Sequence, residues 1–127
     1  MDMEDKVMNK IKSYRDLETW QKAIELAEEI YQETKSFPKE ETYGLTSQIR
    51  RAAVSVPSNI AEGQGRNSTA EFLRFLSIAY GSLCELGTQI IIAQRLAFLN
   101  QPAYELLEAS VARVGRLIHG LANSLRK

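Results

Sequence analysis

The chain has 127 residues, of which 44% are hydrophobic and 25% are charged, as is typical of one globular domain. Three prolines and seven glycines are too few for a low-complexity or disordered chain. A single cysteine excludes an internal disulfide framework and favours the reducing environment of the cytoplasm.

The N-terminal stretch "MDMEDKVMNKIK" is charged and lacks the apolar centre of a secretory signal. We therefore predict a flexible tail over residues 1–13 and one domain over residues 14–127. Polar residues interrupt every apolar run, so we expect no membrane-spanning segment and no membrane contact. The interrupting residues in the third helix are Glu85, Gln89, Gln94 and Arg95.

The net charge is zero, from 16 basic and 16 acidic side chains. The two signs are unevenly distributed, because residues 1–43 carry 7 basic and 11 acidic side chains and the rest of the chain carries 9 and 5. A polyanion-binding protein usually has a stronger basic excess. Charge alone therefore indicates an ordinary solvated surface.

The first predicted helix is "DLETWQKAIELAEEIYQETKSF", with Ser13 or Asp16 as its cap and Phe37-Pro38 as its end. Its apolar residues recur at steps of three and four, which is the period of an amphipathic helix. The predicted core stripe consists of Leu17, Trp20, Ile24, Ala27, Tyr31 and Thr34.

The second predicted helix runs from about Tyr43 to Glu62 and contains Pro57. The apolar residues keep helical phase across the proline, which favours one kinked helix. The alternative is a helix that ends near Val54, followed by a short new turn capped by Ser55. Gly63 and Gly65 are interpreted as C-terminal punctuation in the left-handed conformation. The predicted stripe is Leu45, Ile49, Ala52, Val56 and Ile60.

The third predicted helix begins with a capping box, Ser68 and Glu71, and runs to about Leu99. Its apolar residues extend nearly all round, which predicts burial of more than one face and hence self-association. Gly81 and Gly87 are interpreted as points of close helix approach. The candidate oligomer-interface residues are Leu73, Phe75, Ile78 and Ile91. The predicted core stripe is Phe72, Leu76, Ala79, Leu83, Leu86, Ile90, Ala93 and Ala97.

The fourth predicted helix follows Asn100 or Gln101, has Pro102 in its first turn and runs to about Ser124. A heptad-like seam runs along it from Tyr104 to Leu125. Short links between four long helices predict antiparallel neighbours. The expected fold is all-α: an antiparallel up-down-up-down four-helix bundle with a kinked second helix.

The residues offer little material for catalysis, a metal site or a cofactor. His119 is the only histidine, and no glutamate lies three residues before it, so a di-iron bundle is excluded. We interpret His119 as a surface or edge residue and Cys84 as a buried, inert thiol. Trp20, Tyr31 and Tyr80 are interpreted as core aromatic residues. No catalytic residue, metal ligand or cofactor is predicted.

Four arginines are candidates for contact with nucleic-acid phosphates. Arg50 and Arg51 flank the second helix, and Arg66 and Arg74 lie near the turn that follows it. The alternative is that they pair with Glu62, Glu71 or Glu85, or are simply solvated.

Three stretches together resemble the four-helix-bundle proteins known as 23S rRNA-intervening-sequence proteins. They are "YRDLETWQKAIELAEEIY", "LTSQIRRAAVSVPSNIAEGQGR" and "EFLRFLSIAYGSLCEL", and the resemblance covers about residues 14–125. It implies an antiparallel four-helix bundle that assembles as a homopentamer. Some relatives are strongly basic accessory proteins of diversity-generating retroelements, which bind a reverse transcriptase and nucleic acid. The resemblance implies no catalytic residue.

The main functional hypothesis is a non-enzymatic, cytoplasmic, homo-oligomeric binding or scaffold protein that contacts RNA, DNA or a nucleic-acid enzyme such as a reverse transcriptase. One alternative is an enzyme with a polar site at the turn between helices two and three. That site would consist of Asn59, Glu62, Arg66 and Glu71. A purely structural oligomer is the other alternative.

Overall fold

A computed structural model describes residues 12–126 of the chain. Apart from Lys12 and Ser13, the predicted flexible tail lies outside the described residues, as does Lys127 at the end of the predicted domain. Within residues 12–126 the structure has four α-helices, two short 3-10 turns and no strand. The helices are α1 (Glu18–Thr34), α2 (Leu45–Gln64), α3 (Thr69–Arg95) and α4 (Gln101–Arg126). The 3-10 turns are Tyr14–Asp16 and Lys39–Glu41.

The helices pack in a ring: α1 contacts α2, α2 contacts α3, α3 contacts α4, and α4 returns to α1. This arrangement confirms the predicted all-α four-helix bundle. The Thr19 hydroxyl, near the start of α1, donates to the carbonyl of Leu117 in the second half of α4 at 3.3 Å. At the other end of α1, the Arg50 Nε of α2 donates to Thr34 Oγ1 at 2.8 Å. Both contacts are of the kind expected between antiparallel neighbours, while the full up-down order stays a prediction.

The core stripe of α1 is offset from the predicted one. The fully buried apolar side chains are Ala23, Leu26 and Ile30, whereas Trp20 is only half-buried and Tyr31 is exposed. The predicted stripe contains the aromatic residues, but the aliphatic row one residue earlier in the sequence packs into the bundle. Consequently α1 has a second, partly exposed apolar row beside the core row, formed by Trp20, Ile24, Ala27 and Tyr31.

The predicted N-cap of α1 is also corrected. Ser13 Oγ accepts from the backbone N–H of Arg15 and so caps the 3-10 turn, not the α-helix. The N-cap residue of α1 is Leu17, which makes no side-chain capping bond. Asp16 lies at the end of the 3-10 turn.

Helix α2 is continuous through Pro57, which overturns the alternative of a helix ending near Val54. The Ser58 hydroxyl donates to the Val54 carbonyl and the Asn59 amide donates to the Ser55 carbonyl, each at 2.8 Å. These carbonyls follow that of Ala53, which loses its N–H donor at Pro57, and bonds from a side chain to the carbonyl four residues back often bend a helix. The bend at Pro57 stays a prediction.

Gly63 serves packing, and neither Gly63 nor Gly65 ends α2 in the left-handed conformation. No described glycine has a positive φ, and Gly65 lies in the right-handed region at −74°. Gly63 is buried inside α2, where an added Cβ would lie 2.6 Å from Cβ of Phe75 and 3.1 Å from Cδ1 of Phe72. The missing side chain therefore lets α2 and α3 approach closely, which corrects the interpretation as punctuation.

Helix α3 starts at the predicted cap: Ser68 Oγ accepts from the backbone N–H of Glu71 at 3.1 Å. Its predicted core stripe is buried from Phe72 to Ala93. Gly81 is exposed with no atom within 4 Å of an added Cβ, so close helix approach does not explain it. An added Cβ at Gly87 would lie 3.7 Å from Val111, an ordinary contact.

Length and composition alone would allow α3 to cross a bilayer, contrary to the expectation from its interrupted apolar runs. A core helix of a globular protein meets the same criteria, so this property is weak evidence for a membrane span. The absence of membrane contact stays a prediction.

Helix α3 ends at Arg95, earlier than the predicted Leu99, because Ala97 adopts a left-handed conformation with φ of 64°. The backbone N–H of Phe98 then donates to the Ala93 carbonyl at 2.8 Å, and that of Ala97 donates to the Gln94 carbonyl at 3.0 Å. These are the two bonds of a Schellman motif, which normally has glycine at the left-handed position. Asn100 next caps α4, as its Oδ1 accepts from the N–H of Ala103 at 2.8 Å.

Replacing Ala97 with glycine is expected to raise the free energy of unfolding by about 1 kcal/mol, because glycine has no Cβ to strain the left-handed backbone. The matched control is Ala109→Gly on the exposed side of α4, which should lower it by about 1 kcal/mol. Urea denaturation of the two variants measures both changes. Equal destabilisation by both substitutions would contradict the role given to Ala97.

Candidate interaction surfaces

The turn between α2 and α3 brings together four charged residues around one aromatic ring, here called the turn cluster: Glu62, Arg66, Glu71, Arg74 and Phe75. The guanidinium carbons of Arg66 and Arg74 lie 5.0 Å and 4.6 Å from the centre of the Phe75 ring. This distance is within the range of a cation–π contact. Phe75 is only 5% exposed, so this predicted interface residue is not available to a partner surface.

Each arginine of the turn cluster also has a carboxylate partner three or four residues before it in the chain. Arg74 Nε lies 2.9 Å from Glu71 Oε2, and Arg66 Nη2 lies 3.8 Å from Glu62 Oε2. The hydrogen bond from Arg74 lowers the pKa of the Glu71 carboxyl, and the positive charges of Arg74 and Arg66 act in the same direction. The same hydrogen bond raises the pKa of Arg74. Arg66 and Arg74 thus pair with Glu62 and Glu71, as in the alternative to phosphate contact.

The other two candidate arginines lie away from the turn cluster, on the early part of α2. Arg50 is half-buried: its Nε donates to Thr34 Oγ1, and its guanidinium carbon lies 4.6 Å from the centre of the Tyr31 ring. Arg51 is exposed and has no ion pair among the described residues. Of the four candidates, Arg51 is therefore the one whose charge is not already engaged within residues 12–126.

Of the four polar residues considered for an enzyme site, Glu62, Arg66 and Glu71 belong to the turn cluster, and Asn59 bonds to its own helix. The Asn59 amide donates to the Ser55 carbonyl and hydroxyl, at 2.8 and 3.3 Å, on its own helix. Glu62 and Glu71 are each paired with an arginine. Over residues 12–126, no group of three or more His, Cys, Asp or Glu side chains could hold a metal ion. Asn59, Glu62 and Glu71 are thus each engaged by a neighbouring group.

An apolar groove runs between α1 and α2, here called the α1–α2 groove. It has a volume of about 260 Å³ and contains the second apolar row of α1. Tyr14 closes one end, with its ring centre 5.1 Å from that of Trp20. Val54, on the opposite wall, is 43% exposed. The lining residues are Tyr14, Trp20, Ile24, Ala27, Val54, Pro57, Ser58 and Ala61.

A second groove of about 290 Å³ lies between α3 and α4, here called the α3–α4 groove. The ring of His119 rests against that of Tyr80, with 4.4 Å between their centres. His119 is exposed, as predicted for a surface residue, but Cys84 is exposed as well. The prediction of a buried thiol is therefore wrong, because Cys84 lies on the rim of this groove and not on the core side of α3.

The remaining predicted interface residues differ in exposure. Ile78 is 40% exposed and Ile91 is 39% exposed, while Leu73 is half-buried. Ile92 was not among the predicted interface residues, although it is 43% exposed. At 100° per residue, Ile78 and Ile91 lie on different sides of α3. Ile91 continues the row that Leu73, Tyr80 and Gly87 form along the α3–α4 groove.

A family model described as "23S rRNA-intervening sequence protein" matches residues 15–120. The chain belongs to this family. Its fold is similar to that of a crystal structure, at 1.70 Å resolution, of a protein of unknown function from the S23 ribosomal protein family of Bacteroides thetaiotaomicron VPI-5482. The TM-score is 0.76 at 21% sequence identity, over 83% of this chain and 95% of that chain. No curated protein sequence matches this 23S rRNA-intervening sequence protein.

Proposed function

We propose that this 23S rRNA-intervening sequence protein is a non-enzymatic scaffold that assembles from several copies of itself. The observation that supports this most directly is the apolar surface left open on separate sides of the bundle. One part is the α1–α2 groove, with Val54 exposed on its wall. The other lies on α3, which is diagonal to α1 in the ring of helices, where Ile91 is exposed along the α3–α4 groove and Ile78 is exposed on a different side.

Apolar surface of this kind, rimmed by polar residues, is usually an interaction site. Residues 12–126 of a single bundle leave both surfaces open. A second copy could cover either surface with an apolar surface of its own. In a head-to-tail contact, the α1–α2 side of one copy meets the α3 side of the next, so both surfaces are used. We therefore favour self-association over a single small ligand.

Contact with RNA, DNA or a nucleic-acid enzyme is a second part of this proposal, and it has less support. A phosphate group would have to compete with Glu62, Glu71 and Tyr31 for three of the four candidate arginines. Arg51 is the best placed of them, since it is exposed and has no ion pair among the described residues. The neutral net charge of the whole chain favours a protein partner over a bare polyanion.

Light scattering across a micromolar dilution series tests the assembly, for which the wild-type protein should give a multiple of the 14.3 kDa chain mass. The variants Val54→Glu and Ile91→Glu should each raise the dissociation constant by about tenfold or more, because each buries a charge in an apolar contact. The control is Tyr43→Glu, which changes a residue that is 97% exposed in a connecting turn.

Unchanged assembly of the Tyr43→Glu variant, together with weaker assembly of the other two, is the expected pattern. Circular dichroism should show the helical content of the wild type in all three variants, since the substituted side chains already contact water. A constant mass of one chain for the wild-type protein at every concentration would rule out the proposed function.

A further inference from the structure

The charges of the bundle are segregated between two of its helices. Over Glu18–Thr34, α1 carries five glutamates and one lysine. Over residues 109–126, α4 carries three arginines and no acidic residue. Because α1 and α4 are neighbours in the ring, each copy presents an acidic and a basic surface that are adjacent but distinct.

The basic surface borders the α3–α4 groove. Arg116 and His119 line this groove, and a shorter pocket that shares Tyr80 and His119 extends it to Arg126. Among residues 12–126, neither Arg116 nor Arg126 has an ion pair. Arg126 makes a 3.4 Å hydrogen bond to Asn123. The groove therefore combines apolar walls with cations that no carboxylate of the described chain neutralises.

The acidic surface borders the second apolar row of α1. Glu18 and Glu28 are exposed without an ion pair in the described part of the chain, whereas Glu25 is paired with Lys22 at 3.0 Å. The half-buried Ile24 lies one turn before Glu28 and about 40° from it around the helix, whereas Trp20 lies about 160° from Glu18. This outer side of α1 is an acidic amphipathic surface, which matches the apolar groove with its basic rim.

The two surfaces also agree in length. From Trp20 to Tyr31 the apolar row of α1 covers about 16 Å, at about 1.5 Å per residue. The row from Leu73 to Gly87 along the α3–α4 groove covers about 21 Å by the same measure. At the far end of the α1 row, Arg50 covers the Tyr31 ring.

We propose that the outer side of α1 of one copy docks into the α3–α4 groove of the next, with Glu18 and Glu28 meeting Arg116 and Arg126. This inference rests on the proposed function and names the two surfaces that the assembly uses. The contact is head-to-tail, because unlike surfaces meet. Opposite charges across such a contact set its orientation and make it sensitive to salt.

Two charge-reversal variants test the pairing. One carries Glu18→Lys with Glu28→Lys, and the other carries Arg116→Glu with Arg126→Glu. Each variant alone places like charges across every contact, and its dissociation constant measured by light scattering should rise by about tenfold or more. An equimolar mixture should assemble again, because the reversed α1 of one variant then faces the reversed groove of the other. A single chain that carries all four substitutions should also assemble.

The control reverses an exposed arginine outside both surfaces, Arg95→Glu at the end of α3, and should assemble like the wild type. Added salt should weaken the wild-type assembly. If the wild-type protein assembles but the mixture of the two variants does not, the pairing is wrong and the proposed function stands. If the wild-type protein stays a single chain, both fail. Assembly of the single variants at wild-type strength would likewise overturn the pairing.

Discussion

The variant Gly63→Ala is expected to lower the free energy of unfolding by about 1–3 kcal/mol. An added Cβ would lie 2.6 Å from Cβ of Phe75, an atom that is fixed to the backbone of α3 and cannot rotate away. The helices must therefore separate, and overpacking of this kind costs about 1–3 kcal/mol or more. Urea denaturation followed by circular dichroism measures the change.

Gly81→Ala is the matched control, because Gly81 is also inside a helix but has no atom within 4 Å of an added Cβ. That variant should gain about 0.5–1 kcal/mol from the better helix propensity of alanine. The two substitutions are chemically identical and should have opposite signs. A stabilised Gly63→Ala variant would show that α2 and α3 do not meet as closely as the structure places them.

The variant Phe72→Ala should lower the free energy of unfolding by about 3–5 kcal/mol. Phe72 is fully buried, and its removal leaves a cavity at the α2–α3 contact in addition to the lost transfer free energy. Thermal and urea unfolding both report this change. The control Tyr43→Ala removes a ring that is 97% exposed and should change the stability by less than about 0.5 kcal/mol.

Phe72 and Gly63 also provide a test of coupling. An added Cβ at residue 63 would lie 3.1 Å from Cδ1 of Phe72, so a smaller side chain at residue 72 should reduce the cost of Gly63→Ala. Residues in contact commonly show such non-additive effects. Strict additivity of Gly63→Ala and Phe72→Leu would indicate that the cost arises at Phe75 alone.

The helices and most of their core residues follow from the sequence because the apolar period is strong. In α2, for example, Ile49, Ala52, Val56 and Ile60 are buried as predicted. The continuity of α2 through Pro57 also follows, since the apolar phase persists across the proline. In α1, however, two apolar rows lie side by side, and periodicity cannot say which of them faces the core.

The interaction surfaces were less predictable, because exposure depends on which neighbour covers a residue. Phe75 and Ile78 are both apolar and only three residues apart on α3, yet Phe75 is 5% and Ile78 is 40% exposed. The difference arises from Gly63 and the two arginines that cover Phe75. The glycines were unpredictable for the same reason. The sequence shows only that residues 63 and 81 are glycines, and not that Gly63 lies at a close helix contact while Gly81 faces open space.

The fluorescence of the single tryptophan, Trp20, can report whether the outer side of α1 is covered. Trp20 is half-buried beside Tyr14 on the outer side of α1, and indole emission depends on how much water reaches the ring. If a neighbouring copy covers that side, as we propose, the emission should shift to shorter wavelength and acrylamide should quench it less. Complex formation can therefore be followed in unlabelled protein at concentrations too low for light scattering.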